Sequence, residues 1–387
     1  MSHRHPKLRQ LFIPDTTVAH APALARALPA CVRRIQYGYG NCYRMPSSTT
    51  RDAAMPFRRL KKILTALLLL ASLHAVHAAP AVIRVGVMEF GTVNWELEVI
   101  QAHGLAKKRG VELKVVPLAS AEAPAVALQG GAVDVIVTDW IWVARQRADA
   151  RMYTFAPYSN AVGSLIADPG SGIRTVADLK DRKLGIAGGP NDKTWLLLRA
   201  YTRQQLNIDL AKYAKPTFAA PPLLTELALR GQVDAALNYW HYAARLDAHG
   251  MTTVIDMPDI LKGLGIRKPI PMIGWVFNEE WAARNAAAVK EFLAASYEAK
   301  AILAASEAEW NRIRPKMRAE NDTVFAALRN GFIKGIPTCS DQDTMRAVGQ
   351  TFRILAEMGG TQLVGKSAEL APGTFWAGFR LPPCPAG

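Results

Sequence analysis

Two segments of the chain that lie 100 residues apart share one pattern, and this repeat constrains the fold more than any other feature. The first segment runs from Gly131 to Trp140 (GAVDVIVTDW) and the second from Gly231 to Trp240 (GQVDAALNYW). Each has Gly-x-Val-Asp, a short apolar run typical of a buried strand, and a polar or aromatic residue before a tryptophan. The repeat therefore predicts two similar α/β lobes.

Strands and helices alternate around the two repeat segments. The strands are predicted at Val82–Val87, Val111–Val116, Val133–Val137, Lys183–Ala187 and Val233–Leu237. Helices are expected between them, among them Glu96–Arg109, which Gly110 would end as a C-cap. Strands separated by helices of this length indicate parallel sheets with right-handed crossovers. After Trp281 the pattern changes to long amphipathic helices.

The net charge of +15 is concentrated at one end of the chain. Residues 1–78 contain 12 of the 47 Lys and Arg residues but only 2 of the 32 Asp and Glu residues, which leaves a net charge of +5 for residues 79–387. That remainder has no block of like charge, so a nucleic-acid partner is not expected. The basic end instead indicates targeting.

Residues 55–78 have the three parts of a secretory signal peptide in order. Met55–Lys62 is basic, Ile63–Leu73 is an apolar run of eleven residues, and Val76–Ala78 supplies small residues for cleavage. A signal peptide must be N-terminal, so we interpret Met55 as the biological start and residues 1–54 as an upstream over-read that does not fold. No cysteine closely follows the apolar run, and no apolar run is long enough to span a membrane. We expect a soluble, monomeric periplasmic protein without a lipid anchor.

Two of the four cysteines, Cys339 and Cys384, remain after this processing. An oxidising compartment permits a disulfide between them, but the sequence leaves open whether their Cα atoms lie close enough. There is no Cys/His cluster with zinc spacing, so no metal and no cofactor are expected.

Four motifs in order resemble the solute-binding proteins of ABC importers, of the nitrate/sulfonate/taurine and thiamine-precursor type. They are His103–Ala106 with Gly110–Leu113, the L-x-x-G-x-x-D of Leu128–Asp134, the segment Ile173–Gly185, and Leu229–Ala235. In the third motif Asp181 stands where glycine is usual.

The resemblance implies a type II periplasmic-binding-protein fold, with two α/β lobes joined by two crossing strands. The crossings fit Ala161–Ala167 and Met272–Asn278, so lobe 1 would comprise residues 79–165 and 272–387, and lobe 2 residues 166–271. The implied function is capture of a small solute and its delivery to a permease and ATPase in the inner membrane. The alternative is a periplasmic co-receptor, or an accessory protein of a dehydrogenase system, with the same fold.

The candidate ligand-binding residues follow strands, where the carboxyl ends of parallel strands line a crevice. They are Thr92, Asn94 and Trp95; Asp139 and Trp140; Gly188, Gly189, Lys193, Thr194 and Trp195; Tyr239, Trp240 and His241; and Trp275 on the returning strand. Trp140 and Trp240 are expected to form opposing walls of the pocket, with core packing as the alternative reading of each.

The charge of the ligand stays open at this stage. The Gly-rich turn before Lys193 could present free N–H groups to an anion, or Asn191 or Asp192 could simply cap the helix. Aromatic walls suit a flat ligand or an organic cation beside Asp139. Asp139, Lys193 and His241 could also form an acid–base set, but no nucleophile elbow, P-loop or dinucleotide motif accompanies them, so an enzyme is not expected.

Overall fold

The computed structural model describes residues 79–89, 91–120, 122–367 and 369–385 of the chain. The predicted signal peptide and upstream segment lie outside the described residues. Ten strands in the described part form two five-stranded sheets. The strands are β1 (Ala81–Met88), β2 (Val111–Leu118), β3 (Val135–Asp139), β4 (Tyr153–Ser159), β5 (Gly163–Ala167), β6 (Lys183–Ala187), β7 (Lys215–Ala219), β8 (Ala235–Tyr239), β9 (Thr252–Asp256) and β10 (Ile273–Asn278).

The two sheets have the same architecture. Their strand orders are β2-β1-β3-β10-β4 and β7-β6-β8-β5-β9. In each sheet three strands run parallel, and the last two positions are filled by antiparallel pairings. The repeat strands β3 and β8 occupy the same central position, so the predicted two-lobed α/β fold is confirmed. We call the first sheet with its helices lobe 1 and the second lobe 2.

The chain crosses between the lobes twice. It leaves the first sheet at Ser159 and enters the second at Gly163, and it returns to the first sheet at Ile273. The sequence placed the first boundary after residue 165, inside β5. The structure keeps all of β5 in lobe 2, because Gly163–Ala167 pair in continuous register with β8.

Fourteen α-helices of the described residues surround the sheets. They are α1 (Val93–Ala102), α2 (Leu105–Lys108), α3 (Ala123–Gln129), α4 (Trp140–Ala148), α5 (Lys193–Leu206), α6 (Leu210–Tyr213), α7 (Pro221–Leu229), α8 (Trp240–Ala248), α9 (Met257–Gly263), α10 (Glu279–Arg284), α11 (Ala286–Ala305), α12 (Glu307–Met317), α13 (Asp322–Lys334) and α14 (Gln342–Val364). None of these helices combines the length and the apolar character that crossing a bilayer requires.

One predicted helix is divided in two, and two predicted strands are displaced. The expected helix Glu96–Arg109 becomes α1 and α2, because Gly104 between them has a left-handed φ of 62° that ends the first helix. The strands expected at Val133–Val137 and Val233–Leu237 both lie two residues later, as β3 and β8, and the last residue of each is the N-cap of the helix that follows.

The C-terminal helices contact both lobes. Helices α11 and α12 pack on α1 of lobe 1, whereas α13 packs on α8 of lobe 2. The last helix, α14, contacts α4 of lobe 1 and α5 of lobe 2. Just before α14, Cys339 is joined to Cys384 in a disulfide that spans 45 residues. The bond holds the C-terminal segment against the start of α14.

A buried ion pair lies in the core of lobe 1. Lys300 on α11 donates to the Glu96 carboxylate on α1, and both side chains are almost completely buried. Ser296 donates to Glu96 Oε1 at 2.5 Å and accepts from Trp275 Nε1 at 3.0 Å. The Lys300 Nζ also lies 4.0 Å from the centre of the Tyr158 ring. This network fixes α1, whose first turn follows β1, against α11.

Candidate functional site

An ion pair joins the two lobes where the repeat strands end. Lys193 Nζ donates to Asp139 Oδ2 at 2.7 Å. Asp139 is the last residue of β3 in lobe 1, and Lys193 is the first residue of α5 in lobe 2. Burial opposes the charge on Lys193, but the Asp139 carboxylate outweighs this effect and raises the pKa of the lysine. Two predicted site residues from different lobes are therefore in direct contact.

The start of α5 is capped by a side chain of the protein itself. Asp192 Oδ1 accepts from the backbone N–H groups of Thr194 at 2.9 Å and Trp195 at 3.1 Å. The sequence had suggested that these N–H groups could bind an anion or be capped by Asn191 or Asp192. The structure shows that Asp192 caps them. Asn191 instead donates its side-chain amide to Gln362 of α14 at 3.4 Å.

Tyr239, from the second repeat, lies beside this capped turn. Gly188 in the turn has a φ of 81°, and a Cβ there would lie 3.1 Å from the Tyr239 hydroxyl. Burial, reinforced by the Asp192 carboxylate, raises the pKa of Tyr239 to about 12. The phenol is therefore neutral at physiological pH. Gly189 continues the turn, and, apart from its neighbours in the chain, no atom of the described residues lies within 4 Å of the position of its missing Cβ.

A pocket of about 730 Å³ is lined by residues of both lobes. We call it the interlobe pocket. Lobe 1 contributes the turn from Gly91 to Trp95, and residues 315–318 beside it belong to α12 and the segment that follows. Lobe 2 contributes the first turns of α7 and α8. The volume falls within the usual range for small-molecule sites.

The lobe 1 side of the pocket offers one uncommitted hydroxyl. Thr92 precedes α1 without forming a side-chain cap, and its hydroxyl has no hydrogen-bond partner among the described residues. Asn94 differs, because its amide donates to the carbonyls of Met88 at 2.8 Å and Gly91 at 2.9 Å. We expected Asn94 to donate to a ligand, but in the structure its donors hold the turn instead.

The lobe 2 side places a neutral histidine in the pocket. His241, in the first turn of α8, has a buried Nδ1 without a hydrogen-bond partner in the described part of the chain. Burial, with a smaller effect from Arg245, lowers the pKa of His241 to about 4. The ring is therefore uncharged at neutral pH, with one donor and one acceptor nitrogen.

Two charged residues that line the pocket, Arg245 and Glu320, pair with each other across the lobes. Arg245, one turn after His241, donates to both carboxylate oxygens of Glu320 at 2.5 and 2.6 Å and to the Met317 carbonyl at 2.9 Å. Sequence analysis missed Arg245 and Glu320. The i, i+4 spacing from His241 could have indicated the arginine, whereas nothing in the sequence connects Glu320 with it.

The tryptophans are mostly core residues, which corrects the expected aromatic walls. Trp140 is fully buried and donates its Nε1 to the Pro271 carbonyl at 2.8 Å, so it does not face Trp240 across a pocket. Trp195 and Trp275 are also buried, as is Thr194. Trp95 keeps only a small exposed edge, which lines the interlobe pocket. Trp240 is partly exposed and contacts the Trp95 ring edge-on at 6.1 Å.

The proposed acid–base set is only partly assembled. Asp139 and Lys193 meet, but His241 is hydrogen-bonded to neither and lies in the interlobe pocket. Within the described residues, no group of three or more His, Cys, Asp or Glu side chains is arranged to hold a metal ion.

Solved structures identify the class of fold. The periplasmic aliphatic sulphonate binding protein SsuA from Escherichia coli is 19% identical, with a TM-score of 0.61 over 77% of this chain and 98% of that chain. The alkanesulfonate-binding protein SsuA from Xanthomonas axonopodis pv. citri, bound to MOPS, is 17% identical, with a TM-score of 0.56 over 77% and 99%. The nitrate-binding protein NrtA from Synechocystis PCC 6803 is 14% identical, with a TM-score of 0.50 over 68% and 74%. The chain has the two-lobed periplasmic-binding-protein fold.

The family follows from the sequence match. The model of the family described as "NMT1/THI5 like" matches residues 97–309, which is more than half of the chain. The protein belongs to this family, as its motifs predicted. Among curated proteins, none matches it.

Proposed function

We propose that this protein is the solute-binding component of an ABC importer, which captures a small organic solute between its lobes and delivers it to a membrane permease. The interlobe pocket carries the proposal, because a cavity lined by both lobes can close around a solute only if the lobes move together. The names of the structural relatives, sulphonate-binding and nitrate-binding proteins, support this role.

The mature protein begins near Ala79 in this proposal and acts in the periplasm. The lobes turn about the two connections between the sheets, residues 160–162 and 264–272. Thr92 and His241 contact the solute from opposite lobes, since each offers an uncommitted polar group to the pocket. Asp139 and Lys193 close the crevice beside it.

In this proposal the solute is held mainly by hydrogen bonds and apolar contacts, not by an ion pair with Arg245 or His241. The cation Arg245 is already neutralised by Glu320, and His241 is uncharged at neutral pH. Of the other acidic residues that line the pocket, Glu98 and Glu226 form ion pairs, whereas Glu89 is exposed and has no ion pair among the described residues. We expect hydrogen bonds to Thr92 and His241 and apolar contact with the edge of Trp95.

A thermal-shift screen of residues 79–387 against sulfonates, pyrimidines, amines and polyols tests the proposal. We expect one class to stabilise the protein saturably, with the solute recovered unchanged by mass spectrometry. Calorimetry should then show an affinity loss of about fivefold or more for Thr92→Ala, corresponding to one lost hydrogen bond. The exposed Thr217→Ala on β7 is the matched control and should bind normally. Conversion of the solute would identify an enzyme, and equal affinities would remove Thr92 from the site.

A further inference from the structure

A second cavity, of about 820 Å³, lies beside the two connections on which the lobes turn. We call it the hinge cavity. Residues 160–164 line it from the first connection, and residues 266–270 with Met272 line it from the second. Helices α8 and α9 of lobe 2 and the end of α13 complete its wall. None of the predicted ligand-binding residues except Trp240 lies in it.

The wall of the hinge cavity is apolar, with a ring on one side. Trp240, Ala244 and Met257 contribute to it from α8 and α9. Gly331 of α13 lies against the Trp240 ring, and a Cβ at that position would be only 2.9 Å from ring atoms. An indole held in this way provides a flat surface on which a planar molecule can stack.

The hinge cavity has uncharged polar groups in its wall and charged groups at exposed positions. Asp247, Asp259, Lys262 and Arg267 line it as exposed residues of both signs, and none of them forms an ion pair in the described part of the chain. The Asn160 amide and the Ser164 hydroxyl have no hydrogen-bond partners among the described residues, so both are free to bind a ligand. Lys334 and Asp256 line the cavity as a pair, with Nζ and Oδ2 3.6 Å apart. The combination of a ring face, an amide and a hydroxyl suits an uncharged planar compound with a hydrogen-bonding group.

The first turn of α8 connects this cavity to the interlobe pocket. Trp240 lines the hinge cavity, while the next residue, His241, lines the interlobe pocket. The Trp240 ring also contacts Trp95, which belongs to the interlobe pocket. A molecule that orders Trp240 or fixes the connections would favour one angle between the lobes and so change the affinity for the solute.

We propose that the hinge cavity is a second small-molecule site, which binds an uncharged planar compound and regulates solute capture. The inference goes beyond the proposed function, because it concerns a different cavity and a different ligand. The coupling must be reciprocal. If the bound compound changes the affinity for the solute by some factor, the bound solute changes the affinity for the compound by the same factor.

Three probes of equal size test the chemistry of the site: benzamide, benzoate and benzylamine. Calorimetry on the wild-type chain should show saturable 1:1 binding of benzamide, with benzoate and benzylamine at least fivefold weaker. Ser164→Ala should weaken benzamide about fivefold through the lost hydrogen bond. Ala244→Phe, which fills the cavity, should abolish binding. Thr92→Ala, in the interlobe pocket, should leave benzamide binding unchanged.

The position of the probe is tested without any variant. Crystals of the wild-type protein soaked with 4-bromobenzamide should show bromine anomalous signal between Trp240 and the residues 160–164. Bromine elsewhere, no saturable benzamide binding, or equal affinity for the charged probes would overturn the proposal. Binding that survives in a folded Ala244→Phe variant would overturn it as well.

Discussion

Lys300→Met is expected to destabilise the protein because it leaves the Glu96 carboxylate buried without its counter-charge. Glu96 is inaccessible to solvent, and the Ser296 hydroxyl would still donate to it. Burial raises the pKa of Glu96 and lowers that of Lys300, and each partner opposes the shift of the other. Mutual attraction therefore favours the charged form of both groups, against the effect of their burial.

The loss can be estimated from what the substitution removes. Breaking a buried ion pair by deleting one partner costs about 3–5 kcal/mol. For roughly 300 residues, an unfolding entropy of about 0.6 kcal/mol/K converts this loss to a lower melting temperature by about 5–8 °C. Glu96→Gln in addition to Lys300→Met should recover at least half of the loss, because the second change removes the unpaired charge but keeps an acceptor for Ser296.

Calorimetric unfolding of the wild type, the single variant and the double variant measures these differences. Lys290→Met, an exposed position on the same helix, is the matched control and should change stability by less than about 0.5 kcal/mol. The single variant should also gain stability as the pH falls from 7 towards 4.5, since folded Glu96 then binds a proton before the unfolded chain does. A single variant as stable as the control would refute the reasoning.

The remaining predictions concern the crevice, the core and the tail. Asp139→Asn keeps a side-chain acceptor at the start of α4 but removes the interlobe ion pair, so small-angle scattering should show a larger radius of gyration without solute. An unchanged radius would show that this ion pair does not hold the lobes together. Trp140→Ala should cost about 3–5 kcal/mol in unfolding free energy and leave solute affinity in the folded protein unchanged, as a core position requires. The pKa of His241 is about 4 in the folded protein and near 6.5 in the unfolded chain, so stability is lost as the pH falls through that window. His241→Gln should therefore weaken the dependence of the melting temperature on pH between pH 7 and 5. Reduction of Cys339–Cys384 should lower stability by about 4 kcal/mol in the chain-entropy model, and two titratable thiols in the unreduced, denatured protein would refute the bond.

The architecture was largely predictable because it follows from local patterns of apolar and polar residues in the sequence. The repeat at Gly131 and Gly231 predicted two equivalent strands, and β3 and β8 occupy equivalent positions in their sheets. Strands β4, β7 and β9 were not predicted. Two of them contain proline, at Pro157 and Pro216, which lowers strand propensity and is tolerated here because both strands lie at sheet edges.

The site was less predictable because burial and pairing are tertiary properties. The sequence located Asp139 and Trp140 together at the end of a strand, but only the folded chain shows that the carboxylate meets Lys193 while the indole turns into the core. In the same way, the pattern that suggested an anion site before α5 could not show that Asp192 already occupies the helix end. The spacing of residues in the sequence does not show which of two adjacent side chains points into the core.

The distance between the two lobes, measured with and without the solute found in the screen, tests the central claim most directly. Cysteines introduced at Lys114 on β2 and Lys215 on β7 would carry spin labels on exposed edge strands of different lobes. The two cysteines of residues 79–387 are bonded to each other and would not react with the label. Pulsed electron resonance should show one distribution that shifts to shorter distances and narrows at saturation. An identical distribution with and without bound solute would contradict capture by closure of the lobes.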